Sequence, residues 1–352
     1  MFENLTELSY KTLQQGKTSF ALIHKYLGTQ LRNLLHPSLA NLEKGYSPEI
    51  LLKIQAKIDQ LLKTDWQDAE KGIYPISLLF DDSWEDFFRY YPICWLDTLQ
   101  VWERMKVKKF QEFSPEIDQQ GYPKYYLQNF HYQTDGYLSE LSANLYDIQV
   151  ELLFSGTTDA MRRRILAPLK HHLENFNYLQ PKQIRILDVA CGTGRTLKLI
   201  RAALPQASLF GIDLSSAYLS KANESLSQIT GKLPQLIQTN AEELPYIDNY
   251  FHAVISVFLF HELPAKARQA VIEQCFRVTK PGGIFILCDS IQINDSPELE
   301  ASINGFVATF HEPYYKNYLS DNLVERLEKA GFENIETQTY FVSKYFIAHK
   351  PM

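Results

Sequence analysis

The residues best suited to chemistry lie in the second half of the chain. Asp188-Val-Ala-Cys-Gly-Thr-Gly194 sets an acid just ahead of a Gly-x-Gly turn. A second acid, Asp213 in Gly211-Ile-Asp-Leu-Ser215, comes about 20 residues after the glycines, where an acid can reach ribose hydroxyls. Thr239-Asn-Ala-Glu-Glu-Leu-Pro245 supplies a third polar group. Two more follow apolar runs: Phe260-His-Glu-Leu-Pro264 and Asp289-Ser290. Histidine titrates near neutrality, so His261 is a candidate general base, and Asp289 is the other polar group expected at a neighbouring strand end.

The glycines let the backbone turn tightly and come close to a ligand. A dinucleotide would bring its pyrophosphate to this turn, and Asp188 would repel it. The third glycine of the dinucleotide pattern is also missing. S-adenosylmethionine carries an ammonium and a sulfonium and no phosphate, so beside it Asp188 becomes an asset. Asp213 is expected to accept from both ribose hydroxyls, with helix N-capping as its structural alternative. Asn240 or Glu242 should meet the exocyclic amine of the adenine, and the Ala241 amide a ring nitrogen. Methyl transfer needs an aligned acceptor and excluded water, and a base only where the acceptor must lose a proton. The structural alternative for His261 and Glu262 is capping of the helix that opens at Pro264.

These groups need a frame, and the hydrophobic pattern predicts one. Short apolar runs at 184–189, 208–212, 235–238, 253–259 and 283–288 alternate with helical stretches at 196–204, 216–230 and 264–279. Such alternation implies a parallel sheet covered on both faces, with ligands at the carboxyl ends of its strands. A helix at 321–330 and two nearly adjacent strands, 335–342 and 345–349, close the chain. Parallel strands cannot be joined so tightly, so this last pair should be antiparallel. The first third reads differently. Ser47-Pro48-Glu49 is a helix start, aromatic-rich segments lie at 84–91 and 95–102, and no strand alternation is seen. A helical domain over 1–125 preceding a sheet domain over 126–352 is therefore expected.

Two clusters put histidine among tyrosines in expected loops: Asn129–Tyr137, with His131, Tyr132 and Tyr137, and Phe310–Tyr318, with His311, Tyr314 and Tyr315. Loops at this sheet edge usually carry function, so both are candidate walls of an aromatic acceptor pocket, with Glu262 beside them. Burial as ordinary core is the alternative.

Residues 184–349 resemble the class I S-adenosylmethionine-dependent methyltransferases. The matching pieces are Asp188–Gly194, Asp213, Asn240–Glu242, Arg277-Val-Thr-Lys-Pro-Gly-Gly283 and the closing hairpin. Tyr146-Asp147, Gly156 and Met161-Arg-Arg163 are similar to the segment that leads into the ubiquinone- and menaquinone-biosynthesis branch. The resemblance implies an α/β Rossmann-like, seven-stranded sheet whose last strand is reversed, here preceded by an α-helical domain. It also implies S-adenosylmethionine as cofactor, with Tyr132, Ala190, Leu214 and Phe258 joining Asp188, Gly192, Gly194, Asp213 and Asn240–Glu242 around it. No Asn-Pro-Pro-Tyr-like signature follows the fourth strand, which disfavours the amide- and adenine-methylating branches.

Composition narrows the partners. The chain has 352 residues, a net charge of −6 and 13% aromatic residues. Without basic excess, nucleic acid is not an expected partner. Cys94, Cys191, Cys275 and Cys288 form no C-x-x-C pair, and no metal is expected. The first residues lack a basic segment followed by an apolar one, and no run reaches the length of a membrane span, so a cytoplasmic protein is expected. The leading expectation is methyl transfer to a small, aromatic or apolar acceptor. A protein methyltransferase and a non-catalytic cofactor-binding assembly protein are the alternatives; the oligomeric state is open.

Overall fold

The computed structural model describes residues 2–40 and 47–352, with side chains from residue 5 onward except at 301. The chain divides into two compact units. One comprises residues 1–71, 76–161 and 297–312; the other comprises 72–75, 162–296 and 313–352.

The second unit is built on seven strands: β1 Arg185–Val189, β2 Ser208–Asp213, β3 Gln235–Gln238, β4 Phe251–Val257, β5 Thr279–Ser290, β6 Glu333–Tyr340 and β7 Ser343–His349. Their order is β3-β2-β1-β4-β5-β7-β6. The first five are parallel neighbours, and β7 runs antiparallel to both β5 and β6. The reversed strand expected from the short 343-side connection is thus present. Only Phe341 and Val342 separate β6 from β7, and Phe341 takes a left-handed conformation there.

Burial follows the order. β1 and β4 are almost wholly buried, as strands covered on both faces must be. β3 and β6 lie at the two ends of the sheet and are polar and largely exposed, which fits edge positions. Helices Arg195–Ala203, Ser216–Ser227 and Ala265–Val278 make the crossovers β1–β2, β2–β3 and β4–β5. After β3 the chain returns to the other side of β1. The crevice at the carboxyl ends of β1 and β4 is therefore the topological switch point, where open α/β sheets hold their ligands.

Some boundaries move. β4 begins at Phe251 and β5 at Thr279, each earlier than hydrophobicity alone suggests. In β5 the pairing with β4 shifts between Phe251 and Ala253, and Lys280-Pro-Gly-Gly283 is carried within the strand. A helix, Glu300–Thr309, precedes the second aromatic cluster, and Tyr315–Tyr318 is a short helix where a loop was expected.

The first unit is helical: Phe2–Leu35, Pro48–Glu70, Trp84–Val107, Glu140–Leu153 and Glu300–Thr309 lie within it. The Ser47 hydroxyl accepts from the Ile50 amide at 3.3 Å and Pro48 occupies the first turn, as the Ser-Pro-Glu sequence predicts. The two aromatic segments form one helix with Pro92 inside it. Its rings pack within the unit: Trp95 on His24 with centroids 4.6 Å apart, Phe87 on Phe20 at 5.5 Å, and Cys94 with Leu145 and Ile148.

Candidate active site

The turn after β1 is shaped by left-handed backbone at Ala190, Gly192 and Gly194. Gly194 is required for space as well as conformation: a Cβ there would lie 3.0 Å from Leu226 and 3.1 Å from Ala222 of the facing helix. Gly192 is different. A Cβ on it would meet only Tyr218 Cδ1, at 3.9 Å, so this side of the turn is open.

Asp188, 1% exposed, stands at the end of β1. Neither carboxylate oxygen has a hydrogen-bond partner among the described residues. Burial raises its pKa well above the usual carboxylate range; nearby Asp213 adds to the rise and Arg162 opposes it. A buried carboxylate with no donor is costly unless a ligand brings one. An ammonium or another cationic donor group fits this site, and a phosphate does not.

Asp213 is held by the backbone. Its Oδ2 accepts from the Gly192 amide and its Oδ1 from the Ser215 amide, both at 2.8 Å. Each oxygen keeps acceptor capacity, because a carboxylate offers about four lone-pair sites. The helix Ser216–Ser227 is N-capped by Ser215, whose hydroxyl accepts from Tyr218 N at 3.1 Å; Asp213 is not the cap. Burial pushes Asp213 up to about 6, the two amides pull it back, and Glu262 pushes it further up.

After β3, Asn240 folds onto its own loop. Its Oδ1 accepts from the Glu242 amide at 3.0 Å and its Nδ2 donates to Glu242 Oε1 at 3.2 Å. Ala241 lies between them. The Thr239 amide donates to Asp213 O at 3.0 Å and Gln238 Nε2 to Leu214 O at 3.1 Å, which joins this loop to the end of β2. Phe258, also left-handed, donates its amide to Cys288 O at 2.9 Å and so links the ends of β4 and β5.

His261 and Asp289 are brought together. His261 Nδ1 lies 2.6 Å from Asp289 Oδ1, and Asp289 is fully buried. The Phe260 and Ser290 amides donate to its Oδ2 and Oδ1, each at 2.7 Å. Pro264, rather than His261 or Glu262, holds the N-cap position of helix Ala265–Val278. The His261 ring sits edge-on to Tyr315, 5.9 Å between centroids, and Tyr318, 6.2 Å. Ser290 fixes both tyrosines: its Oγ is 2.7 Å from the Tyr315 hydroxyl, and its carbonyl accepts from the Tyr318 hydroxyl at 2.5 Å. Tyr314 precedes this short helix in the N-cap position. Tyr318, the last residue of the Phe310–Tyr318 cluster, stands three residues after Tyr315, the spacing that places both on one helical face.

The remaining expected residues belong to the helical unit. His131 and His311 are joined there: the His131 amide donates to His311 O at 3.1 Å. His131 Nε2 lies 2.8 Å from Glu312 Oε1, a buried carboxylate that sequence reasoning did not single out. The His311 ring stacks on Phe110 with centroids 4.3 Å apart and lies 5.6 Å from Tyr132. Burial lowers the His311 pKa, Glu312 opposes that, and His131 adds to the lowering. Tyr137 packs on Phe130 at 5.5 Å. His131 and Tyr132 are consecutive left-handed residues. The Tyr132 carbonyl is held by Arg104 Nε at 2.8 Å, and the Asn129 side chain ties this segment to Glu112. Thus His131, Tyr132, Tyr137 and His311 are in one unit, and Tyr314 and Tyr315 in the other.

Residues 186–283 match the family model described as a methyltransferase domain. The chain carries a class I methyltransferase domain. S-adenosylmethionine is the cofactor of that family, and the unpartnered Asp188 carboxylate and the open Gly192 face fit its cationic, phosphate-free character. The chain is 27% identical over 190 residues to a demethylmenaquinone methyltransferase of Anoxybacillus flavithermus, covering 48% of this chain and 79% of that one. It is 32% identical over 160 residues to a carboxy-S-adenosyl-L-methionine synthase of Trichodesmium erythraeum, with 45% of this chain and 60% of the relative aligned. A solved SAM-dependent methyltransferase from Aquifex aeolicus superposes with a TM-score of 0.38 at 20% identity, over 52% of this chain and 88% of its own. The helical segment before the methyltransferase domain lies outside the family match. No helix among the described residues is long and apolar enough to cross a membrane.

Proposed function

We propose that this methyltransferase acts on a small, aromatic or apolar acceptor with an ionisable hydroxyl or an activated ring carbon, of the quinol type, and that His261 is its general base. The observation that carries the reading is the His261–Asp289 pair, 2.6 Å apart, with Asp289 pinned by two backbone amides. An acid fixed on Nδ1 holds the ring in the tautomer whose Nε2 is free of its proton, and it stabilises the imidazolium that forms on proton uptake. When bound, S-adenosylmethionine supplies an electrophilic methyl carbon on a sulfonium.

The chain's own residues do the rest. Asp188 faces the cationic end of the cofactor, and Asp213 accepts from the ribose hydroxyls with the lone pairs its two amide bonds leave over. The Asn240–Glu242 loop and Leu214 meet the adenine, and Ala190 and Phe258 line the strand ends. Tyr314 and Tyr315 form an aromatic wall, and Glu262 is assigned to the acceptor. The quinol type is favoured because relatives at 25% to 28% identity carry the name demethylmenaquinone methyltransferase. No nucleic acid partner is proposed, given the net charge of −6.

The test is a panel of quinols, phenols and short peptides with S-adenosylhomocysteine release as readout, run on the wild type and on His261→Ala. Turnover confined to the small aromatic acceptors, falling by about 10²–10⁴ in the variant with cofactor affinity kept, is the expected result. Turnover on peptides alone would overturn the acceptor class.

A further inference from the structure

Among the described residues, Arg268 is the largest side chain that is fully buried. It belongs to the sheet unit, in the first turn of the helix Ala265–Val278. A guanidinium taken out of water is costly unless its donors are used, and here three acceptors use them. Nε donates to the Leu263 carbonyl at 3.0 Å, Nη2 to Asn317 Oδ1 at 2.5 Å, and Nη1 to Asp321 Oδ2. The planar fork fixes direction as well as distance at each of them. Charge balance at Asp321 does not require it, because Arg326 Nε already donates to both Asp321 oxygens at 2.8 Å. Gln269 exchanges two bonds with Arg326, and these fasten the helix to its neighbour Leu323–Ala330. What Arg268 supplies is a join between two stretches of chain. One is Phe260–Pro264, which carries His261. The other is Tyr315–Asp321, which carries the two tyrosines that stand edge-on to the His261 ring, 5.9 and 6.2 Å between centroids. Gln292, just past β5, holds the backbone of that second stretch through the Tyr318 and Asp321 carbonyls, at 2.8 and 2.6 Å. Arg268 holds its side chains, and its guanidinium lies 5.9 Å from the centre of the Tyr318 ring.

We infer that Arg268 is a positioning residue for methyl transfer: its fork sets the gap between His261 and the Tyr315–Tyr318 helix, and so the width of acceptor ring that reaches His261. This role presupposes His261 as the base and the tyrosines as the acceptor wall. Leu263 lies two residues after His261, and Asn317 lies between Tyr315 and Tyr318. A shift at either acceptor therefore passes to the site within one turn of chain. Arg268 acts only through these partners, because none of its surface is open. Stability alone would be served as well by an apolar side chain, since a buried ion pair often adds little over a packed hydrophobe of equal volume. A fork that three acceptors must meet at fixed angles adds geometry instead.

The experiment uses the full chain, labelled with fluorotyrosine. Arg268→Met fills the volume without the fork, and Arg268→Lys keeps the charge without the fork. In both, the fluorine signals of Tyr315 and Tyr318, assigned with Tyr315→Phe and Tyr318→Phe, should move while the other tyrosine signals stay. With naphthohydroquinone and catechol as probes, kcat/KM should fall about 100-fold, the cost of a misplacement of about 1 Å, and fall unequally for the wide and the narrow ring. S-adenosylmethionine affinity should be unchanged. A residue that only stabilises the fold would lower the melting temperature and leave the two signals and the ratio of the probes alone. Unmoved Tyr315 and Tyr318 signals in folded Arg268→Met, or a probe ratio equal to the wild type's, overturn the inference. Should Arg268→Met not fold, Asn317→Ala, which leaves Asp321 and the Leu263 carbonyl on Arg268, carries the same two readouts. A wild type inactive on both probes, or a fully active His261→Ala, refutes the base and the acceptor class instead, and the two fluorine signals still decide the role of Arg268.

Discussion

Asp289→Asn isolates what the buried acid does for His261. The substitution keeps shape and volume and replaces one carboxylate oxygen by an NH₂ group. In the native site three donors converge on Asp289: His261 Nδ1, the Phe260 amide and the Ser290 amide. If the new NH₂ takes the Oδ2 position, it faces the Phe260 N–H and leaves a buried donor unpaired. At the Oδ1 position it faces the Ser290 N–H and donates to His261 Nδ1, which forces the proton onto Nε2. The first outcome costs about 1–3 kcal/mol of stability. The second puts the ring in the tautomer that cannot accept a proton at Nε2, and turnover should fall by about 10²–10⁴. Calorimetry should show S-adenosylmethionine affinity little changed, because no bond from Asp289 to Asp188, Asp213 or the Gly192 turn exists among those described. The assay is S-adenosylhomocysteine release with an active acceptor, paired with a thermal melt. Near-wild-type turnover together with an unchanged melting temperature would refute the proposal that Asp289 orients a base.

Two glycines in one turn should fail differently. Gly194→Ala meets Leu226 and Ala222 at 3.0–3.1 Å with φ at +78°, and should lower stability by roughly 1–3 kcal/mol in a melt. Gly192→Ala carries the strain of φ at +53° but meets no close neighbour, so it should lower the melting temperature less than Gly194→Ala does and weaken cofactor binding more. For Asp213 the folded pKa, about 6, lies above its usual 3.8, so the fold disfavours its ionised form. Its stabilising contribution is therefore complete below about 4 and is lost as pH rises through 6. The cofactor-free protein should melt lower at pH 7 than at pH 5, and Asp213→Asn should shrink that increment, with Asp188, which burial also raises, supplying the remainder; an increment unchanged in the variant would refute the assignment. A chain beginning at residue 126 would lose the helix Trp84–Val107, on whose Cys94 residues Leu145 and Ile148 pack. That fragment should bind a hydrophobic dye and melt broadly, and a sharp melt at the full-length temperature would show that 126–352 folds by itself.

Local chemistry made the methyltransferase half legible. Turn glycines at 192 and 194, apolar runs of strand length and the tight connection before β7 each act over a few residues, so a sequence displays them directly. Asp188 and Asp213 could be placed at strand ends for the same reason. Tertiary structure decided the rest. His261 and Asp289 are 28 residues apart, and their contact exists because β4 and β5 are sheet neighbours whose ends lie in register. The two histidine clusters look alike in sequence, yet Phe310–Tyr318 is divided: His311 is held in the helical unit by His131 and Gln128, while Tyr315 is held in the sheet unit by Ser290. Contacts between segments 180 residues apart leave no periodicity to read, because the partner that satisfies a buried side chain is chosen by packing and not by the neighbours along the chain.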